Sequence, residues 1–254
     1  MFSLRYRDDP SLTFLQFCSH ADLKDLADIL MTTKKGVRRR SEQLSADPHF
    51  WGSRDDLTKV WQNIAAELQR FGGDAFMNLC RGGKGVLYRE ILTDVCKHLK
   101  VDVRADEELP VIENRVLIKV LKEVIEKMSE EERAEFVKSA ANLFADGKFD
   151  PAGATAAGIL AALQAAIARG GFAAFKVVAI AANAVSRFLL GRGLSFAANA
   201  GLMRFLGVLS GPIGISISTV LSVPMVSGPA YRVTTRAVIY VAYLRQKYLN
   251  RDQL

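Results

Sequence analysis

Ala157-Gly-Ile-Leu-Ala-Ala-Leu-Gln-Ala-Ala-Ile-Ala168 is apolar or small at nearly every position. It reads as a helix without a polar face, and such a helix lies either at the centre of a protein core or in lipid. Its surroundings are as unusual in charge. After Asp150 no acidic residue occurs until Asp252, so residues 151–254 hold ten basic residues against one acidic, a formal charge of +9. The first 150 residues hold 24 basic and 26 acidic residues, a charge of −2. An apolar, basic, acid-free segment suits a surface facing anionic lipid, where cations gain from the head groups and carboxylates would lose. Polyphosphate would attract the cations equally but would not reward the apolar content.

Moving toward the N-terminus, the pattern becomes that of amphipathic helices. Ser19-His-Ala-Asp22 has the spacing of a capping box, with Leu23, Leu26, Ala27 and Leu30 on one face behind it. Ser53-Arg-Asp-Asp56 predicts a second start, followed by Leu57, Val60, Trp61, Ile64, Ala65, Leu68 and Phe71, with Gly72-Gly73 as the stop. Pro110 suits a first helical turn ahead of Val116, Leu117, Val120, Leu121, Val124 and Ile125. Ser129-Glu-Glu-Glu132 starts another helix carrying Phe136, Val137 and Phe144. The expected fold is all-α: a soluble amphipathic helical bundle over 1–148, joined at Gly147-Lys-Phe-Asp150-Pro151 to an Ala/Gly-rich hydrophobic helical region over 151–254.

Within that region Gly170-Gly171 and Gly191-Arg-Gly193 separate helices, and residues 205–231 run without a charge. Such a length matches the roughly 20 apolar residues a membrane span needs. Gly211-Pro212, Gly214, Pro224 and Gly228-Pro229 break it into arms too short to cross, which predicts an interfacial or buried hairpin. A last helix is expected over 234–249, where Tyr240, Tyr243 and Tyr248 beside Arg245, Lys247 and Arg251 make an interfacial mixture.

Catalytic signatures are absent. The Gly-rich segment around Arg81-Gly-Gly-Lys-Gly85 fails the phosphate-loop pattern, since Gly85 stands where Ser or Thr must follow Lys84. Arg81 and Lys84 at the next helix start are an anion-loop candidate, against tight helix–helix turns as the plainer account. His20, His49 and His98 have no ligand spacing, so no metal is expected, and nothing calls for a cofactor. Cys18, Cys80 and Cys96 lie among apolar residues and read as buried reduced thiols. The N-terminus has no signal-peptide core. The expected location is the cytoplasm or the cytoplasmic face of the inner membrane. Lys34-Lys35-Gly-Val-Arg38-Arg39-Arg40 is a solvated linker or a contact for lipid head groups or nucleic acid, without any motif for sequence-specific DNA recognition.

Several stretches carry a family likeness. Asp9-Pro-Ser-Leu-Thr-Phe-Leu-Gln-Phe-Cys-Ser19, Glu67-Leu-Gln-Arg-Phe-Gly-Gly-Asp74, Arg81-Gly-Gly-Lys-Gly-Val-Leu-Tyr-Arg-Glu-Ile-Leu-Thr-Asp-Val95 and Ser227-Gly-Pro-Ala-Tyr-Arg-Val-Thr234 resemble the uncharacterised bacterial YaaW-type family, which is grouped loosely with ubiquinol–cytochrome c chaperones. The resemblance implies a shared helical fold and brings no activity or catalytic residue. The chaperone grouping implies assembly of a respiratory membrane complex.

The sequence thus predicts a non-enzymatic protein whose C-terminal region binds or inserts into an anionic membrane, with the front bundle as regulatory or partner-binding part. Lys176, Arg187, Arg192, Arg204, Arg232 and Arg236 are the expected head-group contacts, with Phe172, Phe188 and Phe196 entering the acyl boundary. The partner is anionic lipid or a protein, and homo-oligomerisation stays open. The alternative is a soluble scaffold or assembly chaperone whose 151–230 region is a buried core. An enzyme working at the Arg81–Glu90 loop is a third class.

Overall fold

The computed structural model describes residues 4–33, 37–39, 41–72, 85–127, 129–139, 155–190 and 229–253. The architecture is all-α. The helices are α1 (His20–Met31), α2 (Pro48–Gly52), α3 (Trp61–Gly72), α4 (Tyr88–Leu99), α5 (Leu109–Lys127), α6 (Glu130–Ser139), α7 (Ala156–Arg169), α8 (Gly171–Leu190) and α9 (Pro229–Leu249). Short 3₁₀ turns occupy Thr13–Phe17, Leu44–Ala46, Leu57–Val60 and Arg251–Gln253. An antiparallel bridge joins Thr32 and Arg38 after α1.

Local chemistry accounts for most of the boundaries. At the head of α1 the Ser19 side chain accepts from the Asp22 N–H while Asp22 accepts from the Ser19 N–H, so two orphan donors are satisfied at once. Leu23, Leu26, Ala27 and Leu30 are then buried together. The start expected at Ser53 falls elsewhere. Ser53 closes α2, its N–H bonding the carbonyls of His49 and Phe50. Asp56 caps the Leu57–Val60 turn instead, accepting from the Thr58 N–H, and α3 proper begins at Trp61. The joint expected at 147–151 lies outside the described residues. Thr155 caps α7, accepting from the Gly158 N–H at 3.1 Å, and Gly170 at φ +69° ends it, a conformation glycine enters without steric cost.

The Ala-rich helix α7 is neither central nor apolar all round in its contacts. It buries Ile159, Leu163 and Ala166 and turns Ala157, Ala161, Gln164, Ala165 and Ala168 outward. Area explains this: a branched aliphatic side chain gains roughly 1.5–3 kcal/mol on burial and an alanine methyl a fraction of that. The few large residues therefore select the inward stripe.

The last helix decides the architecture. Starting five residues earlier than the sequence suggests, α9 lies against α8 on one side and α1, α3, α4 and α5 on others. Val238, Tyr240, Val241, Tyr243 and Leu244 are all buried, within one hydrophobic core that includes residues of α1, α3, α4, α5, α7 and α8. The expected interfacial exposure of Tyr240 and Tyr243 is corrected by this packing. Phe172, Phe175, Tyr243 and Tyr240 run as a ladder of neighbouring rings with centroids 5.6–6.0 Å apart. A division of the chain at residue 148 separates helices that share a core. The 205–231 hairpin lies outside the described residues, apart from the α9 start.

Candidate functional site

Two carboxylates from the front half meet two cations of α9. Arg245 lies on the apolar stripe of α9, seven residues after Val238 and four after Val241, so its side chain enters the bundle. Its Nε donates to both oxygens of Glu113 on α5 at 3.1 and 3.0 Å, and its Nη2 donates to the Ser11 carbonyl at 2.9 Å. The guanidinium sits 4.6 Å from the Phe14 ring centroid and 5.5 Å from that of Tyr88. The Tyr88 hydroxyl donates to Glu113 at 2.7 Å, and the Tyr88 N–H donates to the buried Asp9 carboxylate at 2.7 Å. Asp9 also accepts from the Ser11 N–H.

Lys247, two residues on, points to the other side of α9. Its ammonium donates to both Asp22 oxygens at 2.8 Å, while Asp22 also holds the Ser19 hydroxyl at 2.7 Å. The Tyr240 hydroxyl donates to the Asp22 carbonyl at 3.2 Å. The helix is thus gripped on two sides by charge-assisted bonds.

Burial sets the protonation chemistry. Desolvation pushes Glu113 above the ordinary carboxylate range, with Arg245 and the Tyr88 hydroxyl opposing it. Burial first, then the Glu113 charge, holds the Tyr88 phenol well above its usual value. The Cys18 thiol is pushed up to about 12 and Cys96 to about 11, both chiefly by burial. The bonds of Glu113 and Asp22 to Arg245 and Lys247 tie α9 to α5 and α1.

A second polar layer organises the stretches that carry the family likeness. The fully buried Gln69 side chain accepts from the Arg7 N–H at 2.9 Å and donates to the Arg7 carbonyl at 2.8 Å, pairing with an extended segment as a strand would. Glu67, equally buried, binds Arg70 at 2.7 Å and the Gln43 N–H at 3.1 Å. Burial nonetheless raises its carboxyl. A Cβ on Gly85 would stand 2.2 Å from the Gln69 carbonyl carbon, so only glycine lets the chain cross α3 there. The Val86 N–H bonds that carbonyl at 3.1 Å. Gly85 therefore marks a close backbone crossing, while the rest of the Gly-rich stretch lies outside the described residues.

The residues singled out in the sequence fall unevenly. Lys176 on α8 sits 5.0 Å over the Phe172 ring, and Phe172 is half-buried against the core and stacks on Phe175. Arg236 is half-buried on α9. Arg187 and Phe188 belong to α8 and Arg232 to α9 by backbone position. Arg192, Arg204, Phe196, Arg81 and Lys84 lie outside the described residues. No helix of the described residues is long and apolar enough to cross a membrane. His20 takes a structural role, its Nδ1 accepting from the Leu57 N–H at 3.1 Å.

Sequence reasoning assigned no role to Glu113, Gln69 or Glu67 and took Arg245 as interfacial. A signal for three of them was present. Glu113 falls three and four residues before Val116 and Leu117, Glu67 three after Ile64, and Arg245 four after Val241, each a charge placed on an apolar stripe.

Comparison with known proteins agrees with the likeness read from the motifs. Residues 6–40 match a domain of unknown function, DUF3944. A UPF0174 protein of Helicobacter pylori strain J99 is 38% identical over 249 residues, covering 96% of this chain and 94% of the relative. The UPF0174 protein YaaW of Escherichia coli K12 is 34% identical over 249 residues, covering 96% and 97%. A second Helicobacter pylori UPF0174 protein, of strain 26695, is 35% identical over 209 residues, 82% of this chain. No solved structure shows a significant match. The relatives' names give no activity and carry no support for the chaperone grouping. With such identity over nearly the full length of both partners, the chain belongs to the UPF0174, or YaaW-type, family.

Proposed function

We propose that this is a non-enzymatic, membrane-associating helical protein whose C-terminal region attaches to anionic lipid while the helices of the front half form the regulatory or partner-binding part. The observation that carries this reading is the charge distribution. Of the ten cations after Asp150, Arg245 and Lys247 are matched by Glu113 and Asp22 within the bundle. The other eight belong to a segment that supplies no carboxylate until Asp252. Attachment at the surface suits the short arms into which Gly and Pro divide residues 205–231 better than a span does. The cytoplasmic face of the inner membrane is the proposed location.

The test uses the full-length chain. Lys176, Arg187, Arg192, Arg204, Arg232 and Arg236 are replaced by Gln, leaving Arg245 and Lys247 in place, and helicity is checked by circular dichroism. Cosedimentation with phosphatidylglycerol vesicles should be strong and salt-sensitive for the parent and lost in the variant. Equal sedimentation of both would sink the mechanism.

One observation favours a second reading, a soluble scaffold. Ile159, Leu163, Phe175, Val178 and Ala182 are buried, so part of the 151–230 region is ordinary core. Under that reading the parent protein stays in the supernatant with every vesicle composition.

A further inference from the structure

Arg39 carries guanidinium donors that have no hydrogen-bond partner among the described residues. Arg39 closes a small hairpin after α1: its N–H bonds the Met31 carbonyl at 2.8 Å, the Thr33 N–H bonds the Val37 carbonyl at 2.8 Å, and Thr32 bridges Arg38. Glu42, three residues on, and Glu67, which bonds the Gln43 N–H, are already committed. Glu42, its side chain fully buried, takes Arg38 Nε, the Ser45 hydroxyl and the Ser45 N–H. Glu67 takes Arg70 and the Gln43 N–H.

That leaves Arg39, whose Nε and Nη2 are both shielded from solvent and have no hydrogen-bond partner among the described residues. Burial alone pulls its guanidinium below the ordinary value. Donors left desolvated and unpaired are costly, and an incoming acceptor recovers that cost. The Nε–Nη2 edge of a guanidinium is a fork matching two oxygens of one tetrahedral oxyanion. Lys34, Lys35, Arg38 and Arg40 surround it in sequence, and Val37 stands 60% exposed on the same hairpin. An exposed aliphatic residue amid cations is the composition that lipid head groups favour.

We infer that the hairpin carries a phosphate-recognition site in which the Arg39 guanidinium takes two oxygens of a phosphate group, borne by an anionic phospholipid or free in solution. The site uses no residue of the C-terminal region, so it stands or falls apart from the attachment proposed above. The half-buried side chain exchanges a setting without a described partner for a paired one.

Full-length protein is titrated with inorganic phosphate by calorimetry and with phosphatidylglycerol or phosphatidylcholine vesicles by cosedimentation. Arg39→Met, which keeps an apolar stem and removes the charge, should weaken binding to the recognised probe about tenfold. Arg39→Lys should retain part of it, and Arg54→Gln, at an exposed arginine elsewhere, should bind as the parent does. Arg39→Met should also melt no lower than the parent, because an unpaired charge has been removed. Arg39-dependent binding to phosphatidylglycerol alone identifies the lipid head group, and to inorganic phosphate identifies the free anion. The six-residue C-terminal variant should keep the response to Arg39→Met. Indifference of both probes to Arg39→Met overturns the inference, as does a lowered melting temperature, which would reveal a partner within the protein. Arg39-dependent capture of a single-stranded oligonucleotide, with neither probe bound, overturns it in favour of nucleic acid.

Discussion

At the scale of single residues, the Glu113–Arg245 pair separates what holds the fold from what makes it specific. Arg245 is 11% exposed in its side chain and Glu113 1%, so both charges have left water. Desolvation of that depth cancels most of the Coulomb gain of the pair, whereas removing one partner strands the other. Glu113→Ala or Arg245→Ala is therefore expected to destabilise by about 3–5 kcal/mol, measured by urea unfolding. The double replacement Glu113→Leu with Arg245→Met should cost clearly less than either single change. Additive losses in the double variant would mean that the two residues act independently of each other. Such a pair selects one docking of α9 among the many that apolar contacts alone would tolerate.

At the scale of elements, the α3–α4 junction shows why Gly72 and Gly85 are glycines. A Cβ at Gly85 meets backbone atoms of Gln69 and Arg70 at 2.2–2.5 Å, and backbone within a helix has nowhere to go. One at Gly72 meets Ile91 side-chain atoms at 2.3–2.8 Å, which can turn aside in part. Gly85→Ala is expected to lose about 1–3 kcal/mol or more and Gly72→Ala less, by thermal or urea denaturation. The reverse order would show that the α3–α4 crossing is looser than its geometry implies. Several element starts were legible beforehand because capping chemistry is local: Ser19 with Asp22 is an example. The start at Ser53 was misread because a serine can close one helix as readily as open another, and the neighbouring short helix α2 decides which.

At the scale of the whole molecule, α9 makes the two ends of the chain one structure. Tyr240, Tyr243 and its buried aliphatic residues fill the centre among α1, α3, α4 and α5, and Lys247 and Arg245 close onto Asp22 and Glu113. A chain ending at residue 148 loses that filling. Such a truncation should be partly helical by circular dichroism yet lack a cooperative urea transition, since its core faces would have no α9 to close on. A sharp transition with a full-sized denaturant dependence would show instead that the front helices close on themselves. Composition and periodicity by themselves determined the all-α class, most amphipathic faces and the lopsided charge, because each depends on residues a few positions apart along one helix. Only the tertiary structure decided that Tyr240 and Tyr243 of α9 turn inward and that Lys247 and Arg245 find their counter-ions in Asp22 and Glu113, 225 and 132 residues away in sequence. An aromatic face edged with cations satisfies a membrane interface and a core lined with buried carboxylates equally well, and the choice between them rests with the carboxylates, which lie on other helices.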